Sequence, residues 1–200
     1  MGQVIGITGG IASGKSSVSQ YIKEELGFPV IDADIASREV VEPGREAYEK
    51  IVQAFGEDLL LEDLTIDRAK LGAIIFHNEE KRLLLNSIVH PAVRKRMTEQ
   101  KEEAFHEGKK AVFMDIPLLF ESKLTYMTDK TLLVYVDEDV QKERLIKRNA
   151  LSEQDAIARI SSQMPLAEKK NLADAVVDNN GDLQETLENV KQILKEWNVL

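Results

Sequence analysis

Apolar residues in this chain fall into short solid blocks, separated by stretches in which they recur every third or fourth position. That is the pattern of buried parallel strands alternating with amphipathic helices. Val4-Ile5-Gly6-Ile7-Thr8 is the first block and reads as a strand buried on both faces. Helical spacing from about Gly14 to Leu26 then lines up Val18, Ile22 and Leu26, and Gly27 stands where a helix ends. Phe28 to Ile31 predicts a second short strand. Ala111-Val112-Phe113-Met114-Asp115, the block from Thr131 to Val136, and Ala175-Val176-Val177-Asp178 predict a third, a fourth and a fifth. A last helix gathers Leu183, Leu187, Val190, Ile193, Leu194 and Trp197 on one stripe that docks it to the sheet.

Between the second and third strands the pattern stays helical for far longer than one crossover helix requires. Pro43 to Phe55 has proline at its start and apolar spacing through Ala47, Ile51 and Phe55. Asp67 to Phe76 is a shorter helix with Asp67 as its cap, and a long pattern runs from about Glu79 to Glu107. Pro91 interrupts this last stretch and has no N–H for the Ser87 carbonyl, so a kink is expected there, with His90 beside it. The excess, roughly residues 35 to 108, reads as a substrate-covering subdomain or as helical padding. After the fourth strand, helices are expected over Glu138–Asn149 and Ser152–Met164, the second opened by the capping box Ser152-Glu153-Gln154-Asp155.

The chemistry concentrates where the first strand ends. Gly9, four residues, then Gly14-Lys15-Ser16 matches G-x-x-x-x-G-K-[ST], with a strand before it and a helix after it. Main-chain amides from Gly10, Ile11, Ala12, Ser13 and Gly14 through Ser17 can form a concave donor surface for phosphate. Lys15 carries a charge to the β/γ-phosphates and the Ser16 hydroxyl suits Mg²⁺. The bland alternative is a glycine turn that holds nothing. Asp115, closing a buried strand downstream of this loop, stands where an acid holds Mg²⁺ through water.

Asp32 and Asp34 close the second strand at the crevice where open parallel sheets bind ligands. One of them is expected to cap the helix starting near Ile35, leaving the other as a base for a hydroxyl that receives phosphate. The Pro117-Leu118-Leu119-Phe120-Glu121 loop is unexpectedly apolar. It serves either as a wall against an organic substrate or as packing on the helical insert. Arg144 and Arg148 lie one turn apart and can face a transferring phosphoryl group, or else pair on the surface.

Composition narrows the partners. Across 200 residues the formal net charge is −9, which excludes broad nucleic-acid binding but not a small polyanion in a cleft containing Lys15, Arg144 and Arg148. No apolar run approaches the roughly 20 residues that span a bilayer, and the first residues do not read as a signal peptide. Without cysteine there is no disulfide frame and no thiolate site, and a reducing cytoplasm is the expected setting. Partners should be small molecules, and a monomer is compatible with everything above. No Asn-Lys-x-Asp follows a late strand, which argues against a GTP switch, and motor ATPases usually need more chain.

Read together, these residues resemble the dephospho-CoA kinase family. The resemblance rests on Thr8 through Ser16, Ile31-Asp32-Ala33-Asp34, His90-Pro91, Pro117 through Glu121, Arg144 through Arg148, Gln163, and Ala173-Asp174 running on to Asp178-Asn179-Asn180-Gly181. These markers keep the family's order over nearly the whole chain. Two departures stand out: the pattern has Gly where Ala12 stands and Thr where Ser17 stands.

The resemblance implies a P-loop kinase three-layer α/β sandwich with a five-stranded parallel sheet. Its core would be residues 1–33, 109–143 and 171–200, with a CoA-side helical subdomain over about 35–108 and a lid over about 144–170. It implies transfer from ATP, with Mg²⁺, to the ribose 3′-hydroxyl of dephospho-CoA. Asp34 would be the general base, and Lys15 and Arg148 would stabilise phosphoryl charge. Thr8, His90, Leu118, Phe120 and Glu121 would lie on the acceptor side, Arg144 and Arg148 towards ATP, and Asn179 near the adenine. The rival expectations are another small-molecule kinase, acting on a nucleoside or nucleotide, and a non-catalytic ATP-binding regulator.

Overall fold

The structure is a computed structural model and describes residues 2–200. In chain order its elements are β1 (Gln3–Gly9), α1 (Lys15–Glu24), β2 (Val30–Asp32), α2 (Ala33–Glu39), α3 (Glu46–Phe55), α4 (Arg68–Phe76) and α5 (Glu79–His106). There follow β3 (Ala111–Asp115), β4 (Lys130–Tyr135), α6 (Glu138–Asn149), α7 (Glu153–Ser161), α8 (Leu166–Lys170), β5 (Ala175–Asp178) and α9 (Leu183–Glu196). They form two compact units, one of residues up to 31 together with 103–200, the other of residues 32–102. The stretch 144–170 lies within the first.

The five strands make one parallel sheet in the order β2-β3-β1-β4-β5. β1 is central, with Ile5 opposite Phe113 on one side and Gly9 opposite Val134 on the other. Its carboxyl end therefore opens in the middle of the edge where such sheets bind ligands. Strand alternation sends Ile5, Ile7, Phe113, Leu132, Val134 and Val177 to one face, where Val18 and Ile22 of α1 and Val190 and Leu194 of α9 cover them. Phe28 adds a tilted ring contact to Phe113 at 5.4 Å between centroids. Truncating the fully buried Phe113 to Ala would cost about 3–5 kcal/mol.

The opposite face carries Leu133 and Val136 against Leu166 of α8, flanked by Val140 and Ala173. Gly6 points there too, and a Cβ on it would come within 3.0 Å of Leu119 and Thr128 side-chain carbons. The missing side chain is what lets the loop after β3 lie on the central strand. The apolar character of that loop thus has a source in the first unit itself, since Leu119 is fully buried over Gly6. Helices and loop on either side of the sheet complete three layers.

The second unit has a core of its own, in which Tyr48, Ile51, Leu59, Ile66 and Leu71 pack with Leu85, Ile88 and Val89 of α5. The Tyr48 hydroxyl donates to the Leu64 carbonyl at 2.6 Å and ties the 56–66 loop to α3. Helix α5 continues through Pro91.

Three boundaries differ from the pattern-based expectation. The third helix starts at Glu46 rather than Pro43, because Pro43 is followed by Gly44 at φ 83°, a left-handed turn residue. The stretch expected as one helix to Met164 stops at Ser161, and a separate helix, α8, begins after Pro165. A residue preceding proline is pushed out of the helical region, which explains the break at Met164. The second strand is Val30–Asp32 instead of Phe28–Ile31, with the Pro29 carbonyl accepting from Phe113 N at 2.9 Å just before it. Among the described residues, no helix is long and apolar enough to cross a membrane.

Candidate active site

The loop between β1 and α1 is shaped by close contacts as much as by backbone freedom. Gly14 stands at the N-cap of α1 with φ 88°, and a Cβ there would lie 2.0 Å from Asn179 Nδ2. A Cβ on Gly9 would lie 2.5 Å from Ser13 Oγ. Side chains from distant elements then fasten the loop. Gln163 Oε1 accepts from Ile11 N at 2.8 Å, and Gln141 Nε2 donates to Ile11 O at 2.7 Å. Asn179 Nδ2 donates to Ser13 O at 2.7 Å, while its Oδ1 accepts from Thr186 Oγ1 at 3.0 Å.

What this fixed loop presents is electropositive. The first turn of α1 is Lys15-Ser16-Ser17 with no acidic residue, and Ser16 and Ser17 are exposed. Amides of the first helical turn lack i−4 partners, and the dipole is positive at that end, so the position favours an anion. Some amides of the loop already have acceptors: Ile11 N donates to Gln163, Ser13 N to Gly10 O at 3.1 Å and Ser17 N to Gly14 O at 3.0 Å.

Beside the loop, Lys15 Nζ contacts Asp115 Oδ1, and Ser19 Oγ donates to Asp115 Oδ2 at 2.6 Å. Asp115 is 2% exposed, at the end of the fully buried β3. A carboxylate this deep needs partners, and these two set its orientation. Mg²⁺ prefers oxygen ligands and keeps several waters, so one hydroxyl and one carboxylate are enough protein for it. The exposed Ser16 hydroxyl and the Asp115 carboxylate are donors of that kind. Among the described residues no group of three His, Cys, Asp or Glu side chains is placed to hold a metal ion.

At the end of β4 the Tyr135 hydroxyl donates to Asp137 Oδ1 at 2.8 Å. That hydrogen bond, then burial, holds its pKa above the ordinary 10.0. Lys170 sits over the Tyr135 ring at 4.8 Å, and Asn180 Oδ1 accepts from Asp137 N at 2.8 Å. On α6 Arg144 is half-buried and Arg148 exposed, with Arg148 Nε donating to Asn149 Oδ1 at 2.9 Å.

Thr8 is fully buried and donates to Pro117 O at 3.1 Å. In the loop after β3, Leu118 is 41% exposed whereas Phe120 is buried. Glu121 Oε1 accepts from Met164 N at 3.1 Å and pairs with Lys169 Nζ at 2.8 Å. In the second unit, Asp32 is the residue that caps α2, accepting from Asp34 N at 2.7 Å and Ile35 N at 3.0 Å. Asp34 is exposed in the first turn of that helix, and His90 is exposed on α5.

Comparison with known proteins places this arrangement. Residues 3–185 match the family model for dephospho-CoA kinase. The chain belongs to the dephospho-CoA kinase family. A dephospho-CoA kinase of Bacillus cereus is 59% identical over 197 residues, covering 98% of both chains. One of Oceanobacillus iheyensis is 55% identical with the same coverage. Among solved structures, the dephospho-CoA kinase of Campylobacter jejuni superposes with a TM-score of 0.75 at 30% identity, over 98% of both chains. A Thermus thermophilus protein reaches 0.82 at 32% identity, over 98% of this chain and 97% of that one. A shikimate kinase of Acinetobacter baumannii shares the fold, with a TM-score of 0.53 at 13% identity over 98% of this chain and 93% of that one.

Ala12 adopts φ 59°, the left-handed region that glycine enters freely and alanine does not. Sequence reasoning missed Ser19, Gln141 and Lys169. Ser19 lies one turn beyond Ser16 on α1, a face a helical wheel could have pointed at β3. Gln141 and Lys169 act across 130 and 160 residues, and no local pattern marks them.

Proposed function

We propose that this protein transfers the γ-phosphoryl group of ATP to the ribose 3′-hydroxyl of dephospho-CoA, giving CoA and ADP. The observation that carries the reading is the full-length likeness to dephospho-CoA kinases in a chain whose phosphate loop is intact and rigidly fastened. The amides from Ser13 to Ser17 grip the nucleotide's phosphates, and Lys15 leaves Asp115 to meet the β/γ oxygens. Ser16 and, through water, Asp115 would hold Mg²⁺, which would supply charge neutralisation on the phosphate oxygens.

Phosphoryl transfer needs positioning and electrostatics more than covalent chemistry. Arg148 adds positive charge to the transferring group, with Arg144 on the same helix oriented to ATP. Asp34 is the base that orients and finally deprotonates the attacking hydroxyl. Support for choosing it over Asp32 is that Asp32 Oδ1 is held by two helix amides, which fixes that side chain as the cap. Thr8, His90, Leu118, Phe120 and Glu121 make up the acceptor side, and the turn at Asn179 lies near the adenine. The 144–170 stretch acts as a lid that limits hydrolysis of ATP by water.

A panel of acceptors tests the reading. ADP release should depend on dephospho-CoA, with nucleosides and nucleotides giving only background. Turnover that instead follows a nucleoside would overturn it, and so would ATP binding with no acceptor-dependent turnover.

A further inference from the structure

Lys169 is a fully buried lysine that the reaction above does not use. Its ammonium has three protons, and three acceptors receive them: Gly9 O at 2.9 Å, Pro117 O at 3.2 Å and Glu121 Oε1 at 2.8 Å. Full satisfaction of this kind is what permits a charge with no access to water. The three acceptors come from two different loops. Gly9 ends β1 and opens the phosphate loop, whereas Pro117 and Glu121 follow β3.

The parallel register of β1 and β3 runs to Ile7 opposite Asp115, and the Ile116 N to Ile7 O bond at 2.9 Å closes the ladder. Past that point, among the described residues, no backbone bond joins the two strand ends. The Lys169 ammonium bridges their carbonyls in its place. Thr8 Oγ1 joins the same Pro117 carbonyl at 3.1 Å. The segment that carries Lys169 is also fastened at its start, where Gln163 accepts from Ile11 N and Met164 N donates to Glu121.

We propose that Lys169, paired with Glu121, is a positioning residue that locks the mouth between the phosphate loop and the loop after β3 to the 163–169 segment. It touches neither substrate. It sets the spacing of the two loops between which phosphoryl transfer occurs, and so acts on turnover more than on nucleotide binding. Binding rests on the Ser13–Ser17 amides, which Lys169 does not touch, whereas a misplacement of about 1 Å between reacting groups costs on the order of 10²-fold in rate. The proposal rests on the kinase reading given above.

The experiment compares the wild-type chain with Lys169→Met and with the double variant Lys169→Met/Glu121→Leu. It reads the melting temperature, the ATP Kd by calorimetry, and kcat with dephospho-CoA well below each midpoint. The single variant leaves the Glu121 carboxylate without its counter-charge and should melt lower. The double variant removes that unpaired charge but still leaves the Gly9 and Pro117 carbonyls and Met164 N short of a partner, so it should melt above the single variant and below wild type. In Lys169→Met, which keeps the acceptor-side Glu121, kcat should fall by about 10²-fold with the ATP Kd little changed, and the double variant should recover none of that loss.

Recovery of kcat together with the melting temperature in the double variant would overturn the proposal, as would a loss that lies wholly in the ATP Kd. A double variant that does not fold overturns it too, because the pair would then be a folding element first. A wild-type chain with no dephospho-CoA-dependent turnover would refute the activity alone. Limited proteolysis across residues 150–165 then still tests the lock: faster cleavage in the double variant supports it, and equal cleavage refutes it.

Discussion

Asn179 donates its side-chain amide to the Ser13 carbonyl at 2.7 Å, across 166 residues of sequence. The turn after β5 thereby holds the phosphate loop in shape before any ligand arrives. The amide also occupies the space a side chain on Gly14 would need. A loop ordered in advance loses less entropy when it binds.

Asn179→Ala should therefore weaken ATP binding and lower stability by about 1–3 kcal/mol, because it leaves the buried Ser13 carbonyl short of its donor. Denaturant unfolding and calorimetric ATP titration measure the two effects. An unchanged ATP Kd would separate the turn from phosphate binding.

Lys15→Ala should remove at least about 10²- to 10³-fold of kcat, the usual cost of deleting one well-placed charge donor. The protein should still fold. Asp115 loses a partner but keeps Ser19 Oγ at 2.6 Å. Steady-state ADP release alongside circular dichroism checks both halves.

The two aspartates after β2 should respond differently. Asp32→Ala removes a helix cap and should cost about 1 kcal/mol of stability. Asp34→Asn should leave stability unchanged and lower kcat by about 10²- to 10⁴-fold, the range for loss of a general base. Near-normal turnover in Asp34→Asn would remove the base assignment.

Ala12→Gly relieves a left-handed alanine worth roughly 1–2 kcal/mol of strain, less the extra chain entropy that glycine loses on folding. Thermal unfolding should show a gain in stability of up to about 1 kcal/mol, with turnover retained. A clear loss would mean that the Ala12 methyl makes a contact that outweighs the strain.

Tyr135 should ionise above 10.0 because its hydroxyl donates to Asp137. The bond exists only while the phenol is protonated. Its stabilisation is thus complete below the unfolded pKa near 10 and is lost as pH rises through the higher folded value. Tyrosinate absorbance during alkaline titration, with Tyr135→Phe to identify the signal, should show Asp137→Asn titrating earlier than wild type.

Local pattern was a good guide wherever one stretch decides its own structure. The block Ala111–Asp115 and the helix Glu138–Asn149 lie where apolar runs and helical spacing place them, and Asp67 and Ser152 cap the helices they precede. Legibility weakened where two local signals compete. Pro43 suits a helix start, but Gly44 turns the chain away, and Pro165 divides a helical run into α7 and α8. Asp32 and Asp34 are equivalent by composition, and only the amides at Asp34 and Ile35 show which one caps.

The amino-acid sequence by itself determined five apolar strands, a phosphate loop after the first and a buried acid after the third, because each is written in a handful of adjacent residues. Tertiary structure alone decided what holds that loop. Gln141, Gln163, Lys169 and Asn179 reach it from 130 to 166 residues away. A hydrogen bond depends on where two groups meet in space, and single polar side chains so far apart leave no periodic trace in the chain.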